Sequence, residues 1–244
     1  MSLTDAAWAE ILAAHLNGVP ASTLSGPFGP LLGGAFTIAQ IGQSLDGRVA
    51  TESGHSHYIN GPPALRHLHA LRALSDAVLV GVGTVLADDP LLTVRRVTGP
   101  SPARVVIDPR GRVPIDARCF LEDGVRRLVL RSVDGPTAPG VEVLRLQAGA
   151  DGRLDPHVII SALRAAGLHR LLIEGGPATV SAFVAADALD RLHILMAPVL
   201  IGSGFPGLTL PPIATMTQAL RPEVHPNLIG DGEVLFDCNM RRAT

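Results

Sequence analysis

Apolar positions along the chain change their period repeatedly from Ala35 onward, short β-rich runs alternating with segments of helical period. FTIAQI at 36–41 reads as a strand, and PPALRHLHALRALS at 62–75 as a helix with proline in its first turn. DAVLVG (76–81), RVVID (104–108), RLVLR (127–131) and VEVLRL (141–146) predict further strands. Residues 155–167 predict a helix closed by Gly167, RLLIEGG (170–176) a strand, 178–188 a helix, and RLHILMAPVLIG (191–202) a strand. The tail over 219–240 predicts an antiparallel pair turning at Gly230–Asp231–Gly232. This alternation implies an α/β fold: a mixed, mostly parallel sheet with helices on both faces and an antiparallel C-terminal edge. Ahead of it, TDAAWAEILAAHLN (4–17) predicts a helix capped by Thr4, and residues 18–34 are rich in Gly, Pro and Ser. The expected organisation is therefore a helix-and-linker appendage over 1–34 and one domain over 35–244.

The 244 residues suffice for one large α/β domain with a sizeable core. The 26 glycines and 20 prolines mark many turns without reaching the ~25–30% of low-complexity chains. A net charge of −2 with no acidic or basic block argues against nucleic-acid or membrane-surface partners. Every basic residue is arginine, which excludes Schiff-base chemistry on lysine and a Walker-type phosphate lysine. Cys119 and Cys238 stand apart with no C-x-x-C pair, so a reducing compartment is expected. No Arg precedes Arg48, so no secretory or mitochondrial signal is expected, and the apolar run 192–201 is too short to cross a bilayer. A soluble, cytoplasmic protein is the expectation.

Candidate chemistry gathers at two strand–glycine–helix junctions. One carries Gly81, Gly83 and Thr84, the other Gly175, Gly176 and Pro177. Glycines there let main-chain N–H groups approach an anion at a helix N-terminus, although each junction alone is equally a tight turn. Two of them in one parallel sheet favour a pyrophosphate-bearing ligand. Glu174 ends a buried strand beside the second junction, where a charge needs a partner or a task. Asp88 and Asp89 suit either a ligand role or a helix stop before Pro90. Asp108 follows Gly83 at the distance of a ribose-binding acid, but Leu86 stands where the third glycine of G-x-G-x-x-G belongs. Arg72 and Arg95 flank the first junction and suit a phosphate monoester; Arg110, Arg112 and Arg131 are candidates for a cofactor 2′-phosphate. His67 and His69 point apart on a helix and match no metal-binding motif, so no metal is expected. No G-x-S-x-G elbow supports a serine hydrolase.

Together the segments IGQSLDGRVATESGHSHYIN, LRALSDAVLVGVGTVLADDPLLTVR, LLIEGGPATVSAF and APVLIGSG resemble the pyrimidine reductases of riboflavin biosynthesis. The likeness covers roughly 36–240, in the right order. That family comprises the reductase half of the bacterial bifunctional deaminase–reductase and its stand-alone relatives, with a dihydrofolate-reductase-like fold and usually a homodimer. The resemblance implies NADPH-dependent reduction of a phosphoribosylamino-pyrimidine, hydride reaching C1′ of the opened ribosylamine. By motif, Thr84, Asp88 and Tyr58 would meet NADPH, and Gly176, Pro177, Ala178, Thr179, Val180, Ser181 and Ala182 would wrap its pyrophosphate. Ser56, Arg72, Leu92, Arg95 and Glu174 match positions that contact the substrate, Glu174 being the catalytic candidate. Tyr58 stands where the family often has Trp, and Pro109 replaces a common Ser. The zinc motif of the fused deaminase is missing, so the substrate is either the aminated or the deaminated pyrimidine. Two alternatives stand beside this reading: a dihydrofolate or pterin reductase, and a non-catalytic nucleotide-binding module.

Overall fold

The computed structural model describes residues 3–18, 26–56 and 59–241. Helix α1 (Asp5–Leu16) is capped by Thr4, whose side chain accepts the Ala7 N–H. Then come β1 (Phe36–Ser44), β2 (Arg48–Thr51), α2 (Pro62–Leu74), β3 (Ala77–Gly81), α3 (Val82–Asp88), β4 (Ala103–Ile107) and β5 (Arg127–Arg131). The chain continues through β6 (Glu142–Arg145), α4 (Pro156–Ala165), β7 (Arg170–Glu174), α5 (Pro177–Ala185), β8 (Arg191–Ala197), β9 (Gly204–Pro206), β10 (Glu223–Gly230) and β11 (Glu233–Asn239).

Nine strands form one sheet in the order β10-β11-β8-β1-β7-β3-β4-β5-β6. All neighbours from β8 to β6 are parallel, and β11 runs antiparallel to both β8 and β10. The α/β expectation with its antiparallel C-terminal edge is met. The chain runs from β1 to β3 and returns only later to lay β7 between them, so the carboxyl ends of these strands diverge into a crevice. β2 and β9 pair as a separate two-stranded ribbon that the apolar pattern did not announce.

Side-chain alternation along the strands feeds two cores. Ile38, Val78, Val80, Val106 and Leu172 pack with α2, Val82 and Val85 on one face. Ala39, Leu79, Val105, Leu171 and Ile173 pack with α4 and α5 on the other. Trp8, Phe28 and Leu31 belong to the first core; Trp8 meets Phe28 edge-on and donates Nε1–H to the Thr98 carbonyl. The boundary at Ala35 is therefore no packing boundary on this face: burial of these large rings makes α1 a lid on the domain. Among the described residues no helix is long and apolar enough to cross a membrane.

A buried polar chain crosses the first core. His67 Nε2 meets His193 Nδ1 at 3.0 Å, and His193 Nε2 meets Asp237 Oδ1 at 3.1 Å, with Arg191 Nε donating to the same oxygen at 2.8 Å. It ties α2 to β8 and β11. Burial first, then the facing His193, pushes the His67 pKa well below its ordinary value.

Candidate active site

A cleft of about 1060 Å³, at the upper limit of small-molecule ligand sites, opens over the carboxyl ends of β1, β7, β3 and β4. Strand ends build its floor: Gln40 and Gly42 of β1, Gly81 of β3, Ile107 of β4 and Glu174 of β7. Gln40 and Glu174 sit side by side in register. Ala64, Leu65 and Leu68 of α2, with Leu92, wall one end; Ala182 and Phe183 of α5, with Leu154 and Ile159, wall the other. Val49, Ala50 and Phe205 bring the β2–β9 ribbon over the side.

The second glycine junction is shaped by what cannot be there. Gly175 and Gly176 have φ of +89° and +69°, a region that disfavours side chains. A Cβ on Gly176 would lie 2.8 Å from Thr84 Oγ1, and one on Gly81 would lie 2.4 Å from Thr179 Oγ1. The two junctions thus interlock through two threonine hydroxyls, and no side chain caps α5. Main chain and hydroxyls without competing bulk, at a helix N-terminus, fit a dinucleotide pyrophosphate.

Arg72 grips Glu174, the residue immediately before that junction. Its Nε donates to Oε2 at 2.7 Å, its Nη2 to Oε1, and its Nη1 to the Thr93 carbonyl at 2.8 Å. The pair is largely buried, with side chains 6% and 13% exposed. The loop after α3 is pinned to α2 a second time, where the Arg95 N–H donates to His69 Nδ1 at 2.9 Å. Burial and then Arg72, Arg95 and Arg96 hold the His69 pKa down at about 3, which keeps that nitrogen an acceptor. Within the same loop Leu92 takes φ +57°, a left-handed conformation costly for leucine, and its side chain is buried against the cleft.

The ribbon is tied to the sheet by Asp46. Its Oδ1 accepts from Ser44 Oγ and, at 3.1 Å, from the Ile201 N–H, and its Oδ2 accepts from the Gly202 N–H at 2.6 Å. The Ser44 hydroxyl, then these main-chain donors, lower its pKa to about 2. SLDG and LIGSG, far apart in sequence, are thereby one structural unit.

Of the expected site residues, Ser56, Gly81, Gly83, Thr84, Asp88, Leu92, Glu174, Gly175, Gly176, Pro177, Ala178, Thr179 and Ala182 line this one cleft. Tyr58 lies outside the described residues. Four expectations need correction. Asp108 is fully buried away from the lining, where its Oδ2 accepts the Val113 N–H at 2.8 Å. Val180 is core, and Ser181 Oγ accepts the Thr209 N–H at 2.9 Å. Arg72 offers no free fork to a phosphate, because Glu174 and Thr93 occupy three of its nitrogens. Arg95 keeps its candidacy: exposed and outside the lining, it lies where Arg72 and Glu174 are near enough to act on its charge.

Among the 2′-phosphate candidates only Arg112 reaches the cleft; Arg131 is spent on Gly135, Pro136 and Thr137. Arg153, not foreseen, stands with Arg112 at the α4 end. Gln40 and Gly42 within β1 and Asn60 in the loop before α2 were also missed, since single residues of these kinds carry no motif of their own. His67 and His69 face different partners, and no three His, Cys, Asp or Glu side chains among the described residues are grouped to hold a metal ion.

The family model for the RibD C-terminal domain matches residues 35–223. The 2,5-diamino-6-ribosylamino-4(3H)-pyrimidinone 5′-phosphate reductase of Archaeoglobus fulgidus is 37% identical over 180 residues, covering 68% of this chain and 82% of that protein. The riboflavin biosynthesis protein RibD of Escherichia coli is 34% identical over 194 residues, covering 74% of this chain but 53% of its own length. Among solved structures, the diaminohydroxyphosphoribosylaminopyrimidine deaminase/5-amino-6-(5-phosphoribosylamino)uracil reductase of Thermotoga maritima superposes with a TM-score of 0.73 at 26% identity, covering 84% of this chain and 56% of that one. The chain thus spans about half the length of the RibD proteins and most of the archaeal reductase. It belongs to the RibD C-terminal domain family.

Proposed function

We propose that this chain uses NADPH to reduce a phosphorylated ribosylamino-pyrimidine to the ribitylamino-pyrimidine 5′-phosphate of riboflavin biosynthesis. The observation that carries this reading is a single cleft lined both by the Gly175–Thr179 turn and by Glu174, the carboxylate that Arg72 holds. In a parallel sheet such a crevice is where a dinucleotide and its reaction partner meet.

Gly81, Gly83, Thr84, Asp88 and the turn from Gly175 to Thr179 would hold NADPH. Arg112 and Arg153, at the α4 end, would meet its 2′-phosphate. The bound nicotinamide supplies the hydride. Leu65, Leu68 and Leu92 keep water from the substrate half, and Glu174, held rigid by Arg72, orients the pyrimidine. Arg95, beside that pair at the rim, is the phosphate anchor that remains once Arg72 is committed. Because both Glu174 oxygens serve Arg72, a pterin site with its free carboxylate is the poorer description.

The test is NADPH consumption followed by absorbance with the 2,5-diamino-pyrimidinone phosphate, the aminouracil phosphate and dihydrofolate in turn. Turnover of a pyrimidine phosphate is expected; turnover of dihydrofolate alone, or of nothing, overturns the reading. A homodimer is part of the proposal, supported by exposed Leu200, Ile213 and Met216 and by exposed Val224 on the edge strand β10; light scattering at twice the chain mass is expected.

A further inference from the structure

Glu233 opens β11 and is 2% exposed, yet it neither lines the cleft nor has a cationic partner among the described residues. A buried carboxylate is costly without donors. Its Oε1 accepts the Gly61 N–H at 2.7 Å and Asn60 Nδ2 at 3.1 Å, while Oε2 has no partner among the described residues. Gly61 is the N-cap of α2, and Asn60, just before it, lines the cleft.

The chemistry of the pair fixes which way the amide points. A carboxylate oxygen that already takes a main-chain N–H only accepts, so the Asn60 nitrogen must face Glu233 and its oxygen must face away. Away means toward Gly42: a Cβ at Gly42 would lie 1.9 Å from Asn60 Oδ1 and 3.7 Å from Nδ2. Gly42 is itself cleft floor, two positions beyond Gln40 and so on the same face of β1.

We infer that Glu233 is a positioning residue that holds Asn60 Oδ1 over Gly42 as a hydrogen-bond acceptor for an N–H donor of the bound ligand. The inference rests on reading the cleft as a pyrimidine reductase site. Two ligand groups carry such a donor, the pyrimidine and the nicotinamide carboxamide. Asn60 directly precedes α2, which packs in one core and lines the cleft with Ala64 and Leu65, whereas the Gly176–Thr179 turn opens α5, which packs in the other, and this favours the pyrimidine.

The experiment compares Glu233→Leu, Asn60→Ala and the double variant with the parent chain, measuring pyrimidine KM, kcat and the Kd for NADPH. Leu at 233 removes the one oxygen that accepts both the Gly61 N–H and Asn60 Nδ2, freeing the Asn60 amide to turn, whereas Glu233→Gln keeps an oxygen for both donors and is the control expected to retain the parent constants. The two single variants, Glu233→Leu and Asn60→Ala, are each expected to raise the pyrimidine KM about tenfold while kcat changes less than threefold. Adding Glu233→Leu to Asn60→Ala is expected to do nothing more, a result that a merely structural Glu233 would not give. A rise in the NADPH Kd in place of the pyrimidine KM supports the same device with the carboxamide as donor. Unaltered constants in both single variants, or additive losses in the double, overturn it. A parent chain that turns over no pyrimidine phosphate overturns the functional reading itself and the role of Glu233 with it.

Discussion

Arg72 and Glu174 face each other across α2 and β7 in a two-point clasp, with the third arm of the guanidinium on the Thr93 carbonyl. The clasp joins a helix of one core, a central strand and the loop carrying Leu92 and Arg95, so one side chain sets the shape of the substrate half. Arg72→Ala leaves a largely buried carboxylate unpaired, a change that costs about 3–5 kcal/mol. Chemical denaturation should register that loss, and turnover should fall with it. Arg72→Lys keeps the charge but not the fork and should recover only part of either.

Gly176→Val tests the cofactor half. At φ +69° any side chain is strained, and its Cβ would lie 2.8 Å from Thr84 Oγ1. Fluorescence titration should show NADPH binding weakened more than tenfold, with the circular dichroism spectrum retained.

Arg112→Ala/Arg153→Ala should raise the KM for NADPH about tenfold or more and leave that for NADH near its parent value. Equal losses for the two dinucleotides would remove these side chains from the 2′-phosphate.

Three buried histidines make stability fall on the acid side. Burial comes first in lowering the pKa of His67, His69 and His193, so the folded protein holds them neutral while the unfolded chain protonates them near pH 6.5. The stability they contribute is present above about pH 6.5 and is lost as pH falls, for His69 down to about 3. Asp237 adds to the loss below about pH 4: burial pulls its pKa up, but hydrogen bonds from His193 and Arg191 hold it below the usual value. Each histidine contributes a slope of at most about 1.4 kcal/mol per pH unit. Thermal melting from pH 8 to 4 should show a plateau above 7 and a decline below; His193→Phe should flatten it.

Much of this was legible in the sequence because local physics decided it. RLVLR and RLLIE are strands because both faces are buried under helices, so their aliphatic runs stayed unbroken. Thr4, Gly167 and the Gly230–Gly232 turn marked element ends through capping and positive-φ chemistry. The glycine junctions were readable as ligand turns, whereas their interlock through Thr84 and Thr179 was not, because it depends on how β3 and β7 are ordered in the sheet. Pairing hid the rest. An arginine free to take phosphate and one locked onto Glu174 look alike in sequence, and Asp108 differs from a ribose-binding acid only in the turn that covers it. Trp8 in the predicted first helix and Phe28 in the stretch read as linker were the large rings ahead of Ala35, and both are buried in the first core.

A crystal structure of the protein soaked with NADP⁺ and the ribitylamino-pyrimidine 5′-phosphate tests the shared cleft most directly. The account predicts pyrophosphate density against Gly176–Thr179, the pyrimidine between Glu174 and Leu65, and its phosphate toward Arg95. Either ligand bound outside that cleft, with the glycine turn and Glu174 both untouched, would contradict it.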